Sequence, residues 1–253
     1  MSADELMYHI QMKKGDVGRY VFLPGDPGRC EKIASYFDDP QLIAYNREYK
    51  TYTGTLLGEK VSVTSTGIGC PSTAIAVEEL IKIGADTFVR VGTSGGMQPY
   101  LNAGDLGIVT AAIRDEGTTS HYMPMEFPAV ADIDVVNALR EGAKRVGTTA
   151  HLGISQSKDS FFGQHEPERM PVADRLLERW KAWVMGGTIC SEMEAAVIFV
   201  LSSIYRKRAS GIMLIGWNQE GENPDEHVSD LDPLIRTAIE GVKVLIEEDK
   251  AKA

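Results

Sequence analysis

Short apolar runs alternate with amphipathic stretches along most of the chain, and that alternation predicts strand followed by helix. Residues 19–24, RYVFLP, form an apolar run of strand length. GDPGR breaks it, and a helix is expected through RCEKIASYF. TFVRVGTSGG, at 87–96, reads as a buried strand ending in a glycine-rich turn. Further strands are expected in GDLGIVTAAIRDEG, in HLGISQSKDSFF (151–162, running into a polar loop) and in SGIMLIGWN (210–218). Over 70–85 the spacing of Ala74, Val77 and Ile81 predicts a helix, with Pro71 near its start and Gly84 near its end. Helices are also expected over 134–147, 174–184 and 192–207. The last helix begins at Asp232-Pro233, a cap followed by Pro at the first helical position, and carries Ile235, Ile239, Val242 and Ile246 on one side. Residues 41–66 differ: β-branched and aromatic residues around a GEK turn predict antiparallel strands.

This order predicts an α/β fold, a single domain over 1–253 with a central mixed β-sheet flanked by helices. No repeat, low-complexity tract or linker interrupts the chain. In such folds ligands gather beyond the C-terminal strand ends. Four segments fall there: PGDPGR, GTSGG, KDSFFGQH and GWNQE.

Charge and cysteine content narrow the partners. With 36 acidic and 26 basic residues the net charge is -10, and no basic block stands out, so nucleic acid is not an expected partner. A local cluster of arginines could still hold a small anion. Cys30, Cys70 and Cys190 are too widely spaced for a disulfide framework or a zinc pattern and read as reduced thiols. The polar start of the chain does not resemble a signal peptide, and no apolar stretch reaches the roughly 18 residues that span a bilayer. A soluble, cytoplasmic protein without a membrane partner is expected.

Several residues could carry chemistry. Gly25 lets a ligand approach the backbone after the first strand, and Arg29 could hold a phosphate through a forked pair of hydrogen bonds. Arg90 lies inside an apolar strand, where an unpaired guanidinium is costly, so an anion or a buried carboxylate should meet it. Thr93 and the following glycines could donate to the same anion. Neither a P-loop nor a dinucleotide fingerprint fits the glycine spacing. Arg47 sits in the antiparallel region. Glu192 and Glu194 lie two apart, just before or at a helix start, where they do not share a helical face. His165, in the polar loop, could protonate or hydrogen-bond a leaving group. The five histidines lack zinc-site spacing. Taken singly, each of these has an ordinary explanation as a turn, an ion pair or a surface side chain.

Taken in order, the segments resemble the nucleoside phosphorylase family of the hexameric, uridine-phosphorylase-like type. The resemblance rests on YHI (8–10), PGDPGR (24–29), NREY (46–49), STGIG (65–69), VRVGTSGGMQP (89–99), EFPAVADIDV (126–135) and SEMEAA (191–196), and spans nearly the whole chain. It implies a three-layer α/β fold and a pentosyltransferase that splits a nucleoside with inorganic phosphate as co-substrate and no cofactor. Gly25, Arg29, Arg90 and Thr93 then resemble the phosphate site, with Arg47 supplied by a neighbouring subunit. His9 resembles the residue that reaches the ribose 5′-hydroxyl across the same interface. Glu192, Met193 and Glu194 resemble the ribose platform, with Glu194 accepting from the 2′- and 3′-hydroxyls. Phe161 resembles the aromatic against the base. The resemblance also implies a homo-oligomer, a hexamer as a trimer of dimers, and a monovalent cation near Glu48, Ile68 and Ser72.

The base is less plainly written. Purine-specific relatives carry an Asp where this chain has Gly216, which favours a pyrimidine and hence uridine. The uridine pattern pairs a Gln with an Arg two residues later. Gln164 matches the Gln, but position 166 is Glu, and Arg169 could substitute only if the loop bulges. Lys158 and His165 are expected to supply the donors instead, one or both of them cationic. Alternatives are a purine nucleoside phosphorylase, a water-using nucleosidase, and a nucleoside-binding protein that has lost catalysis.

Overall fold

Every position of strand β1 (Tyr20–Leu23) is buried, because its neighbours cover both faces and both edges. It runs parallel to β4 (Glu59–Thr64) on one side and to β5 (Thr87–Gly96) on the other. In the computed structural model, which describes residues 5–252, β4 continues outward through antiparallel β3 (Tyr49–Leu56) to β2 (Asp38–Asn46), an exposed edge. The β3–β4 turn falls at Leu57-Gly58, with φ of +52° and +78°, the sense that matches strand twist in a two-residue hairpin.

On its other side β5 enters a closed circuit. It pairs in parallel with β10 (Arg208–Asn218), and β10 pairs antiparallel with β6 (Leu106–Asp115). β6 runs parallel to β8 (Ala150–Lys158), β8 to the short β9 (Cys190–Glu192), and β9 returns antiparallel to β5. The ring has no free edge of its own, and β1-β4-β3-β2 leaves it as an open extension. A two-residue strand, β7 (Ala129–Val130), pairs with β6.

Helices cover the sheet in two layers. α2 (Cys70–Lys82) and α6 (Ala195–Ile204) join one apolar cluster with Phe88, Val109 and Met213. α1 (Gly28–Ala34), α3 (Ile133–Val146) and α7 (Asp232–Lys252) join the other with Phe22, Val91 and Leu214. The Asp132 carboxylate accepts from the amides of Asp134 and Val135 at the start of α3, and Gly147 closes it in the left-handed conformation. α4 (Phe161–His165) and α5 (Ala173–Met185) stand apart, and α5 has no fully buried residue. Among the described residues no helix is long and apolar enough to cross a membrane.

The α/β alternation is as expected from the sequence, with three differences. The helix expected from residue 192 begins at Ala195, because 190–192 pair as β9. The strand expected over 151–162 ends at Lys158. Residues 161–165, expected as loop, form α4, whose first turn is closed by the Ser160 hydroxyl accepting from the Gly163 amide at 2.9 Å. The expected domain of 1–253 includes residues 1–4 and 253, which lie outside the described residues.

α3 and α7 cross at Gly142 and Gly241. A Cβ at Gly142 would stand 2.6 Å from the Gly241 nitrogen and 2.7 Å from the Thr237 oxygen, both backbone atoms. Gly142→Ala is therefore expected to destabilise the protein by about 1–3 kcal/mol through overpacking, although the same change favours an isolated helix by about 1 kcal/mol. A urea midpoint that rises would show that the helices are free to separate.

Candidate active site

The strand ends expected to hold an anion converge. Gly25 follows β1, Arg29 lies in the first turn of α1, and Arg90 lies within β5. Three glycines leave room for the Arg90 side chain. A Cβ at Gly92 would lie 3.1 Å from its Cζ, one at Gly25 3.6 Å from its Nη1, and one at Gly211 3.2 Å from its Cβ. Arg90 is 5% exposed and donates from Nη1 to the Leu23 carbonyl at 3.3 Å. Its Nη2 pairs with the Glu194 carboxylate, itself 3% exposed. Arg29 donates to the Val91 carbonyl at 2.9 Å. Burial and the nearby Arg90 charge both push the Arg29 pKa down.

The Nε groups of Arg29 and Arg90 are buried with no hydrogen-bond partner. Two clustered guanidiniums with unspent donors and a single carboxylate paired to them form a locally cationic site. Gly25 lies against it, and Thr93, exposed, stands at the end of the same strand as Arg90.

The two glutamates do different work. Glu194 accepts the Gly69 amide on Oε1 at 2.6 Å, so its carboxylate is fixed between that amide and Arg90. Glu192 turns away. Its Oε2 accepts the amides of Glu194 at 2.7 Å and Ala195 at 2.8 Å, and its Oε1 accepts from the Ser157 hydroxyl. A carboxylate there satisfies the free amides at the start of α6. Burial and the Glu194 charge raise the Glu192 pKa. Met193, half-buried, lies between the two.

A second cluster gathers where β8 ends. Lys158 is 5% exposed and donates to the Ser191 hydroxyl at 2.7 Å. Burial pushes its pKa down to about 8. Its ammonium lies 6.0 Å from the Phe161 ring centre. The His165 ring packs against Phe161 at 4.1 Å and Trp217 at 4.9 Å between centres. Burial, then the Lys158 charge, pushes the His165 pKa down to about 4. Of the two expected donors, Lys158 keeps its charge at neutral pH, whereas His165 is neutral because a half-buried ring beside an ammonium cannot easily take a proton. Gln164 completes the group, 2.6 Å from the Ser191 hydroxyl. Lys158, Gln164 and His165 line one wall of a cavity of about 360 Å³, with Trp180 and Trp183 of α5 across it.

Gly216 occupies an irregularity of β10, where the pairing with β5 shifts between Ile215 and Trp217. No side chain projects from this position, and the Trp217 ring covers Gly95, 3.0 Å from where a Cβ would stand.

His9 and Arg47 lie elsewhere, on an edge of the subunit. Asn46 donates to the His9 carbonyl at 2.6 Å, and His9 Nδ1 is 2.7 Å from Glu79 Oε1. Arg47 is exposed, with φ +56°. No hydrogen bond or ion pair joins either residue to Arg29, Arg90 or Glu194 among the described residues. Nearby, Ser72 donates to Glu48 at 2.6 Å, and Ile68 is 77% exposed. Among the described residues no group of three His, Cys, Asp or Glu side chains has the arrangement of a metal site.

Sequence reasoning missed Ser191, Gln156, Asp115 and Gly69. Each is joined to the clusters through a contact distant in sequence, and as single residues they carry no signal.

The family described as "Phosphorylase superfamily" matches residues 19–245. Uridine phosphorylase of Treponema pallidum is 52% identical over 97% of this chain and 96% of its own length. Uridine phosphorylase of Thermococcus kodakarensis is 45% identical over 98% of this chain and 89% of its own. Guanosine phosphorylase of Halorubrum lacusprofundi is 37% identical over 87% and 89%. With the match spanning the segments that hold Arg29, Arg90 and Glu194, the chain belongs to the phosphorylase superfamily.

Proposed function

We propose that this protein is a uridine phosphorylase, which converts uridine and phosphate to uracil and ribose 1-phosphate. The observation that carries the reading is the buried Arg29–Arg90 pair with unspent N–H groups beside Glu194. A hydrolase has no need of such an anion site. The base assignment is supported by the bare position at Gly216, which offers no acid for a purine, and by the uridine phosphorylases among the relatives.

Arg29, Arg90, Thr93 and the backbone at Gly25 hold phosphate below C1′. Glu194 accepts from the ribose 2′- and 3′-hydroxyls beside Met193. Glu192 serves as the anchor that fixes the start of α6 and thereby the Glu194 backbone. Phosphate oxygen forms its bond to C1′ as the C1′–N1 bond breaks, and the electron pair leaves with the base. Phosphate is both nucleophile and counter-charge to the oxocarbenium-like sugar, and fixing it makes the attack effectively intramolecular. The Lys158 ammonium stabilises the departing uracil anion. Phe161 and the neutral His165 pack against the ring, and Gln164 reads its edge.

Arg47 and His9 complete the site of a second subunit, Arg47 at phosphate and His9 at the ribose 5′-hydroxyl. Their placement together on one edge, through Asn46, supports this arrangement. The assembly is then a dimer at least, and a hexamer if three dimers join. Glu48 and Ser72 are the oxygen donors for a monovalent cation at that edge. Three buried, unpaired cysteines support a reducing compartment and a cytoplasmic role in pyrimidine salvage.

The first test is base release from uridine, thymidine, inosine and adenosine, with and without phosphate. Phosphate-dependent release of uracil is expected; release of a purine base instead would transfer the assignment to a purine nucleoside phosphorylase, and release without phosphate would make the protein a hydrolase.

Lys158 titrates near 8 and is the cation only when protonated, so kcat/KM should fall as pH rises through about 8. Lys158→Met should lower kcat by about 10²-fold and remove that limb of the profile. A limb that persists in the variant belongs to another group.

Arg47→Ala should raise the KM for phosphate and leave the uridine KM nearly unchanged. At a phosphate concentration well below the raised KM, mixing Arg47→Ala subunits with Glu194→Ala subunits should give more activity than the two variants show separately if the site is shared. No recovery in verified mixed oligomers would place Arg47 outside its neighbour's site.

A further inference from the structure

Ser191 is a junction with more neighbours than a hydroxyl can satisfy in just any arrangement. Its Oγ lies 2.7 Å from Lys158 Nζ, 2.7 Å from Gln156 Oε1 and 2.6 Å from Gln164 Oε1. A hydroxyl has one proton and two lone pairs. The ammonium can only donate, so it takes a lone pair. Gln156 is oriented from its far side: its Nε2 donates to Asp115 Oδ2 at 2.7 Å, and a carboxylate only accepts. Asp115 in turn pairs with the Arg179 guanidinium, which together with Gln156 opposes the upward push of burial on its carboxyl. The Gln156 carbonyl therefore faces Ser191 and takes its only proton.

One place remains at Ser191, and it is a lone pair. Gln164 must meet it with an N–H. With the Gln164 oxygen there instead, two oxygens face each other with no proton between them, and Nε2 is buried without a partner. Turning the amide by half a turn gives Ser191 the N–H it needs, and amide orientation is assigned from such networks. The Gln164 carbonyl then takes the buried place of Nε2, in a residue that lines the cavity with Lys158 and His165.

We propose that Asp115, Gln156 and Ser191 form a directional hydrogen-bond chain that turns the Gln164 carbonyl toward the base and so selects rings that carry N–H at position 3. The inference rests on the reading of Gln164 as a base-contacting residue. Uracil presents N3–H and matches a carbonyl. Cytosine presents a lone pair at N3 and meets it oxygen to lone pair. Asp115, Gln156 and Ser191 are positioning residues, since they act through Gln164. Lys158, which shares the junction, has two further N–H groups for the ligand.

The test is the ratio of kcat/KM for uridine over cytidine, measured on the full-length enzyme with phosphate. If cytidine turns over too slowly to follow, its inhibition constant against uridine replaces its kcat/KM. A residue that only supports the fold lowers both substrates in proportion and leaves the ratio alone. Ser191→Ala removes the junction and should lower the ratio by about tenfold or more, the scale of one mismatched buried hydrogen bond. Ser191→Thr keeps the hydroxyl and should retain the wild-type ratio. Asp115→Asn should lower the ratio further. An Asn here gives its oxygen to Arg179 and its N–H₂ to Gln156, which reverses every bond in the chain and turns the Gln164 N–H₂ to the base. Gln164→Ala is the control. If Gln164→Ala changes the ratio while Ser191→Ala and Asp115→Asn do not, the chain is overturned and the base-contacting reading stands. If Gln164→Ala leaves the ratio unchanged, both fall.

Discussion

The ion pair between Arg90 and Glu194 is the constraint around which the site is arranged. Both groups are almost wholly buried, and either left alone in the interior would carry an uncompensated charge. Their pairing fixes what surrounds them. Glycines at 25, 92 and 211 clear the volume that the guanidinium occupies. The Gly69 amide holds the far carboxylate oxygen. Glu192 is turned away from the pair and spent on the amides of Glu194 and Ala195, so the backbone that presents Glu194 is itself anchored. Arg29, added beside an already paired couple, provides positive charge without an ion-pair partner of its own among the described residues, and the site is locally cationic for that reason.

The closed strand circuit makes this possible. β9 is three residues long, yet it bridges β8 and β5 and so brings residues 190–194 against strand ends that come from distant parts of the chain. Lys158 at the end of β8, Ser191 in β9 and Arg90 in β5 are brought into one region by that bridge. A ring also protects its own edges, which allows the three-residue β9 to remain a strand. The base end is built differently. α4 and α5 lie over the ring with little burial, so the cavity there is bounded on one side by the rigid ends of β6 and β8 and on the other by lightly packed helices.

Electrostatics divides the two ends in the same way. At the phosphate end, charges face each other and are retained by pairing. At the base end, one buried ammonium dominates: it loses affinity for its proton through burial and suppresses protonation of the adjacent imidazole. A single cation beside a neutral aromatic surface suits a leaving group that is flat and becomes anionic only as its bond breaks.

The sequence by itself determined the order of strands and helices, and it pointed to the strand ends and to Arg29, Arg90 and Thr93 as candidates to meet an anion. Periodicity is local, and a lone arginine in an apolar strand such as 87–96 demands a partner whatever the fold. The cap and proline at Asp232-Pro233 are likewise local, and they start helix α7 where expected. Only the tertiary structure decided that 190–192 is strand, because its pairing partners lie in other segments and its own residues show no alternation long enough to read. It also separated Glu192 from Glu194, which look equivalent in SEMEAA but face a helix start and a guanidinium respectively. The neutrality of His165 follows from burial and from an ammonium seven residues away in sequence, neither of which a sequence displays. The partner of each group in the Ser191 network is fixed by proton count at one hydroxyl, and that count exists only once Asp115, Gln156, Lys158, Gln164 and Ser191 have been folded against one another.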